Sequence, residues 1–252
     1  MLFFRSPFRR TRRRATQRLI NSSRNPISAA VGNELEQLLP TVSSQKTLSA
    51  LQGELQSFLS MFNRYLEQPT LIDWDNVKPP STGRIVSYDK LPRDGTSNSD
   101  LQRLAVLKLN GGLGSSMAMK GAKSALEVKD NLTFLDLAVE QIAFLNTTHH
   151  VDVPLLLMTS FSTQEDTLRV VQKHSGEPVR IMTFNQSRFP RIMKDSLSLY
   201  THVDNIEDRS AWYPPGHGDV YHSLAQSGLL DSLLSEGKEF LFISNSDNLG
   251  SS

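Results

Sequence analysis

The sequence predicts an α/β fold, a mostly parallel sheet with helices on both faces. Three observations carry that prediction. Beyond Asp100, short apolar runs alternate with amphipathic stretches, the order expected of strand–helix–strand units. One apolar run, Leu104–Asn110, enters a glycine cluster, Gly111-Gly112-Leu113-Gly114, as a buried strand does when it ends in a tight loop. The polar motifs that carry chemistry also follow the ends of apolar runs, where open parallel sheets gather their ligands.

Length and charge set the frame. The 252 residues suit one or two domains with a sizeable core. With no cysteine there is no disulfide or thiolate chemistry, which fits a reducing compartment, and a cytoplasmic location is expected. No apolar run approaches a membrane span. The net charge of +1 hides an asymmetry. Eight arginines and no acid precede Glu34, which leaves 19 basic against 26 acidic residues in the remainder, a net −7. An acidic body argues against a general nucleic-acid binder. Residues 1–33 are expected to be a basic, disordered leader. Their Arg-rich, acid-free, Ser/Thr-bearing composition also suits an organellar transit peptide, or an arm touching RNA or acidic lipid.

Residues 34–99 read as an N-terminal helical segment and a connection. Leu35, Leu38, Leu39, Leu48, Leu51, Leu55, Phe58, Leu59 and Phe62 recur at helical spacing from Asn33 to Gln68. Pro40 and Ser43-Ser44 divide the pattern into two helices that pack on their own protein, and Pro69 ends the second. Residues 70–99, rich in Pro, Gly, Asp, Asn and Ser, form an irregular connection. Residues 100–252 hold the alternating strand–helix part. After Leu104–Asn110 come a helix over Phe134–Leu145 capped by Thr133 and a strand over Val153–Thr159. A helix from Ser162 or Thr163 to about His174 follows, then a strand over Val179–Phe184. A helix over Val220–Leu234 interrupted at Gly228 and a strand over Phe240–Ile243 complete the series.

The glycine cluster has a physical use beyond a turn. Glycines let backbone N–H groups approach a ligand closely, and oriented N–H groups with a nearby lysine make an anion site. An ordinary turn is the commoner outcome for Gly-Gly after a strand. The familiar phosphate motifs both fail: the dinucleotide fingerprint meets Met117 at its third glycine, and Ala122 separates Gly121 from Lys123 in the P-loop pattern.

A third kind of glycine loop fits. Leu109-Asn-Gly-Gly-Leu-Gly114, Ser116-Met117 and Lys120-Gly-Ala-Lys-Ser124 resemble the uridine triphosphate loop of the UTP–glucose-1-phosphate uridylyltransferase family. The resemblance continues in order through Leu132-Thr-Phe-Leu-Asp136, Asn185-Gln-Ser-Arg-Phe-Pro-Arg191, Pro214-Pro-Gly-His-Gly-Asp219 and Ser244-Asn-Ser-Asp-Asn-Leu-Gly250. The family usually has Thr, Gly, Cys and Pro where this chain has Ser115, Ala118, Met119 and Ala122. Family members are considerably longer. The resemblance therefore implies a Rossmann-like nucleotidyltransferase, incomplete at its C-terminus, without the rest of the sugar pocket, a further lysine and a C-terminal β-helical domain.

The implied reaction joins UTP and glucose 1-phosphate to give UDP-glucose and pyrophosphate. Its difficulty is electrostatic, because two anions must meet. Mg2+ is the implied cofactor, a hard cation that takes phosphate oxygens and keeps waters. The resemblance assigns the nucleotide to Leu109, Asn110, Gly111, Gly112, Lys123, Gln186, Gly216 and Asn245, with Lys123 also catalytic. It assigns the sugar phosphate to Gly112 and His217 and the metal to Asp247. Each has a plainer alternative: a solvated surface Lys123, a solvated turn Gln186, a structural His217, and Asp247 as a helix cap. Arg191 and Lys194 would add positive charge near Gln186. His149-His150 reads as a solvated turn.

Overall fold

The computed structural model describes residues 2–3, 25–38, 45–67, 72–90, 97–113, 121–200 and 209–250. In chain order, strand β1 (Leu2–Phe3) precedes helices α1 (Pro26–Leu38) and α2 (Gln45–Glu67). A short α3 (Asn98–Gln102) leads into β2 (Leu104–Leu109). The hairpin β3 (Glu127–Lys129) and β4 (Leu132–Thr133) runs directly into α4 (Phe134–His149). Next come β5 (Leu155–Thr159), α5 (Gln164–Lys173) and β6 (Ile181–Asn185). A second hairpin, β7 (Phe189–Pro190) and β8 (Trp212–Tyr213), precedes α6 (Val220–Ser227), α7 (Leu229–Ser235) and β9 (Phe240–Asn245).

The main sheet has the order β1-β9-β2-β5-β6. Strands β9, β2, β5 and β6 are parallel, and β1 adds two antiparallel positions at the β9 edge. Alternation along β2 and β5 sends side chains to opposite faces. Val106, Leu155 and Leu157 pack with Leu135, Val139 and Ile142 of α4 and Val170 of α5. Ala105, Leu107, Leu156 and Met158 pack on the other face with Val220 and Leu224 of α6 and Leu233 of α7. This is the parallel, two-sided architecture that the sequence predicts.

A third core joins the N-terminal helices to the body. Val31 and Leu35 of α1 and Leu51, Leu55, Phe58, Leu59 and Phe62 of α2 cluster with Phe189 and Trp212 of the β7–β8 hairpin. Phe58 stacks on Phe62 at 5.7 Å and meets Phe189 edge-on at 5.7 Å.

Several boundaries differ from expectation: α4 runs on to His149, β6 spans Ile181–Asn185 and β9 continues to Asn245. Helix α1 begins at Pro26, ahead of Asn33, so a disordered leader does not extend through residue 33. Asn25 is the reason: its side-chain oxygen accepts the Ile27 N–H at 2.9 Å, while Pro26 takes the first helical position, where no N–H is needed. The arginines from Arg5 to Arg24 lie outside the described residues. Strand β5 starts at Leu155 because Pro154 has no N–H to give to the ladder. In the irregular connection, the described residues form two exposed single turns, Trp74–Asn76 and Tyr88–Lys90, and α3 takes its last residues.

Candidate functional site

The glycine segment leaves β2 with its carbonyls turned inward. Leu109 accepts the N–H of Ser246 (3.2 Å), and Gly112 accepts that of Lys123 (3.2 Å). The Asn110 carbonyl accepts the Thr163 hydroxyl (2.9 Å) and the Gly111 carbonyl that of Ser160 (3.0 Å). A trans peptide holds its N–H opposite its carbonyl. The N–H groups of Gly111 and Gly112 therefore point away from Thr163 and Ser160, the arrangement an anion-binding turn needs. Residues 114–120 lie outside the described residues, but the two sides of the segment meet again as Leu113 bridges Ala122.

The residues singled out from the sequence converge on the carboxyl ends of the parallel strands. Asn245 lies beside Leu109 in the β2–β9 register. Just past it, Asp247 forms an ion pair with Lys123 through Oδ2. Gln186 follows β6 and packs on Gly111 so closely that a Cβ there would lie 1.8 Å from its Nε2. Gly111 is thus a glycine for space. Gln186 is buried, 5% exposed, and among the described residues its Oε1 has no hydrogen-bond partner; nor has Oδ1 of the fully buried Asn110.

Gly216 and His217 arrive from a different element. Gly216 adopts φ 107°, ψ −175°, a conformation open in practice to glycine alone. It begins a single turn, His217–Asp219, that Asp219 fastens beside Gln186: Asp219 accepts the Ser187 N–H (2.6 Å), the Ser187 hydroxyl (3.0 Å) and the Ser223 hydroxyl. His217 stays exposed.

Charge in the site is organised by Lys123. Its ammonium holds the Asp247 carboxyl below the ordinary range against the opposing effect of partial burial, and the more distant His217 pulls the same way. Among the described residues no three His, Asp or Glu side chains stand together as a ready metal cage. Asp247 supplies one carboxylate, with Oδ2 engaged by Lys123. That donor set fits a hard cation whose remaining ligands are phosphate oxygens and water. Arg191 lies over the Tyr213 ring at 5.7 Å. His150 closes α4 in a left-handed cap conformation.

One group of residues was not signalled by motif. Ser160, Thr163 and Thr167, all fully buried, form a hydroxyl ladder beneath Asn110 and Gly111. Thr167 also accepts the Asn110 side-chain amide at 2.8 Å. Asp166, one turn along, accepts the Ala122 N–H at 3.0 Å. A Ser/Thr-rich run after a strand, Thr159-Ser-Phe-Ser-Thr163, was the signal available, and it reads equally as helix capping.

Comparison with known proteins gives consistent results. A sequence model described as UTP--glucose-1-phosphate uridylyltransferase matches residues 55–252. The chain is 50% identical over 203 residues to the UTP--glucose-1-phosphate uridylyltransferase of Saccharomyces cerevisiae, covering 79% of this chain and 40% of the yeast protein. Among solved structures, a UDP-glucose phosphorylase of Trypanosoma brucei aligns with a TM-score of 0.70 at 31% identity, over 90% of this chain and 46% of that one. The UDP-glucose pyrophosphorylase of Leishmania major aligns with a TM-score of 0.71 at 28% identity, over 91% and 46%. The chain thus spans less than half the length of these relatives.

Proposed function

The chain belongs to the UTP–glucose-1-phosphate uridylyltransferase family, and we propose that it serves that family's reaction, transfer of UMP from UTP to glucose 1-phosphate with release of pyrophosphate. The observation that carries this reading is the meeting of Lys123 and Asp247 beside the glycine segment. A cation and a metal-competent carboxylate side by side are what a triphosphate with its counter-ion requires.

In this reading the N–H groups of Gly111 and Gly112 and the ammonium of Lys123 take the UTP phosphates. Asn245 and Gly216 border the nucleotide. Oε1 of Gln186, without a partner among the described residues, accepts a uracil N–H, relieving a buried acceptor whose isolation costs about 1–3 kcal/mol. His217 and Gly112 meet the sugar phosphate. Its oxygen is already anionic, so the chain needs no general base, and His217 binds rather than abstracts a proton. Magnesium, held by Asp247, would neutralise and orient phosphate oxygens. Catalysis by the chain itself is then positioning and charge neutralisation.

Titration of the chain with UTP and MgCl2 tests the reading, beside an assay for UDP-glucose formation. Saturable UTP binding that Lys123→Ala weakens by about 10–100-fold, the worth of one charge-assisted contact, is expected. No binding by the parent chain would overturn it. Because the chain matches less than half of its relatives' length, a second reading is UTP binding without turnover. Binding with no UDP-glucose formed selects it.

A further inference from the structure

The start of α5 touches both sides of the glycine segment. On one side, Thr163 and Ser160 hold the carbonyls of Asn110 and Gly111. On the other, Asp166 Oδ2 accepts the Ala122 N–H, and a Cβ on Gly121 would lie 2.5 Å from that same oxygen. Between the two grips the backbone closes on itself, with the Lys123 N–H donating to Gly112. Lys123 is the residue immediately after Ala122, and its side chain reaches Asp247. We propose that Asp166 is a positioning residue: by holding the Ala122 peptide it fixes where Lys123 starts and hence aims its ammonium at the phosphate site.

The physical argument is one of leverage. A lysine side chain has four rotatable bonds and loses up to about 2 kcal/mol of rotamer freedom when ordered. Fixing its backbone does not remove that cost, but it decides which of the accessible positions lie over the nucleotide. The Ala122–Asp166 bond ties this peptide to a rigid element, since Asp166 sits in the first turn of α5, whose Thr167 and Val170 are buried against the body. Arg169 engages the other oxygen, Oδ1, at 3.2 Å, and so leaves Oδ2 turned to the glycine segment. Gly121 follows from the same geometry: the carboxylate occupies the place a side chain would need.

Asp166 has a plainer role to be separated from this one. An acid in the first turn favours the helix dipole by about 0.3–1 kcal/mol. Glu165, its exposed neighbour in the same turn, shares that role without touching the glycine segment. Three substitutions divide the possibilities. Asp166→Ala removes the acceptor. Asp166→Asn keeps an acceptor oxygen and loses the charge. Glu165→Gln loses a first-turn charge and its ion pair with Arg169, and leaves the acceptor at Ala122 in place.

The consequence for binding rests on the proposed UTP function, so two readouts are needed. Amide hydrogen exchange at Ala122 and Lys123, measured on the chain without nucleotide, reports the grip itself. UTP titration with MgCl2 reports what the grip does. Asp166→Ala should raise exchange at both amides at least tenfold and weaken UTP binding about tenfold. Asp166→Asn should restore most of both, and Glu165→Gln should change neither. If Asp166→Ala does not fold, Gly121→Ala breaks the same contact from the other side and should give the same pair of effects. Unchanged exchange in Asp166→Ala or Gly121→Ala overturns the proposal. So does raised exchange with UTP affinity within twofold of the parent. Should the parent bind no UTP, the functional reading falls by itself. Exchange at Ala122 then still decides, for or against, whether Asp166 holds that peptide.

Discussion

Single residues in this chain are governed by what occupies the space beside them. Gly111 is the sharpest case, because the Gln186 amide stands where its Cβ would be. Gly111→Ala should displace Gln186, with an overpacking cost of about 1–3 kcal/mol in chemical denaturation. UTP binding should fall with it if Gln186 reads the base. An unshifted denaturation midpoint would show that the contact is not tight. Glu54 of α2 makes a second case, through charge. Burial pushes its carboxyl from the ordinary 4.5 up to about 7, against the pull of the Arg188 guanidinium and with a push from Asp219. The sign follows from proton linkage. Between pH 4.5 and about 7 the folded chain holds a proton that the unfolded chain has lost, so stability falls as pH rises through that window and then levels off. The ceiling on that loss is roughly 3 kcal/mol. Glu54→Gln should flatten the slope and leave the protein more stable than the parent at pH 8. An unaltered pH profile of the midpoint would remove Glu54 as its source.

At the scale of elements, what could be read from the sequence depended on how local the cause was. Strands β2, β5, β6 and β9 announce themselves as apolar runs, and the Thr133 cap of α4 is written in its own sequence. Thr133 accepts the Asp136 N–H while Asp136 accepts that of Thr133, a reciprocal box. Burial works to raise the Asp136 carboxyl, yet the Thr133 N–H and hydroxyl and His174 outweigh it and hold it low. The β3–β4 hairpin is not legible in the sequence although its turn signal is present. Asp130 and Asn131 both take positive φ, as a tight hairpin turn demands, but two- and three-residue strands carry no periodicity. Candidate site residues divide the same way. The glycine segment, Lys123, Gln186, Asn245 and Asp247 sit in motifs at strand ends. Ser160, Thr163 and Asp166 matter only because β5 and α5 return the chain to the glycine segment, and no local pattern encodes that return. Packing between elements sets the energetic scale. Leu157 of β5 is fully buried between α4 and α5, so Leu157→Ala should cost about 2–5 kcal/mol in chemical denaturation. A cost below 1 kcal/mol would mean that this face collapses around the cavity.

For the molecule as a whole, the sheet is asymmetric in how it is finished. On the inner side β9 pairs with β2 along its full length, from Phe240 to Asn245. On its outer side it meets β1 at two positions, Leu241 and Phe240. Past those positions, among the described residues, no strand pairs with the outer edge of Phe242–Asn245. Phe242 is 41% exposed there, although its partner on β2, Val106, is buried. An open strand edge with an apolar side chain is a template for another chain, and proteins that keep such edges single place charge on them. Ser244 and Asn245 bring none. The acidic body does not prevent pairing at this edge, since screening limits charge effects to about 10 Å at ordinary salt. The expected behaviour is self-association that grows with protein concentration, measured by sedimentation velocity. Phe242→Lys puts a charge on the edge and should shift the population towards monomer without disturbing β2 or β5, because position 242 points its side chain partly to solvent. A parent chain that sediments as a monomer across a hundredfold range of concentration would show that the edge is protected.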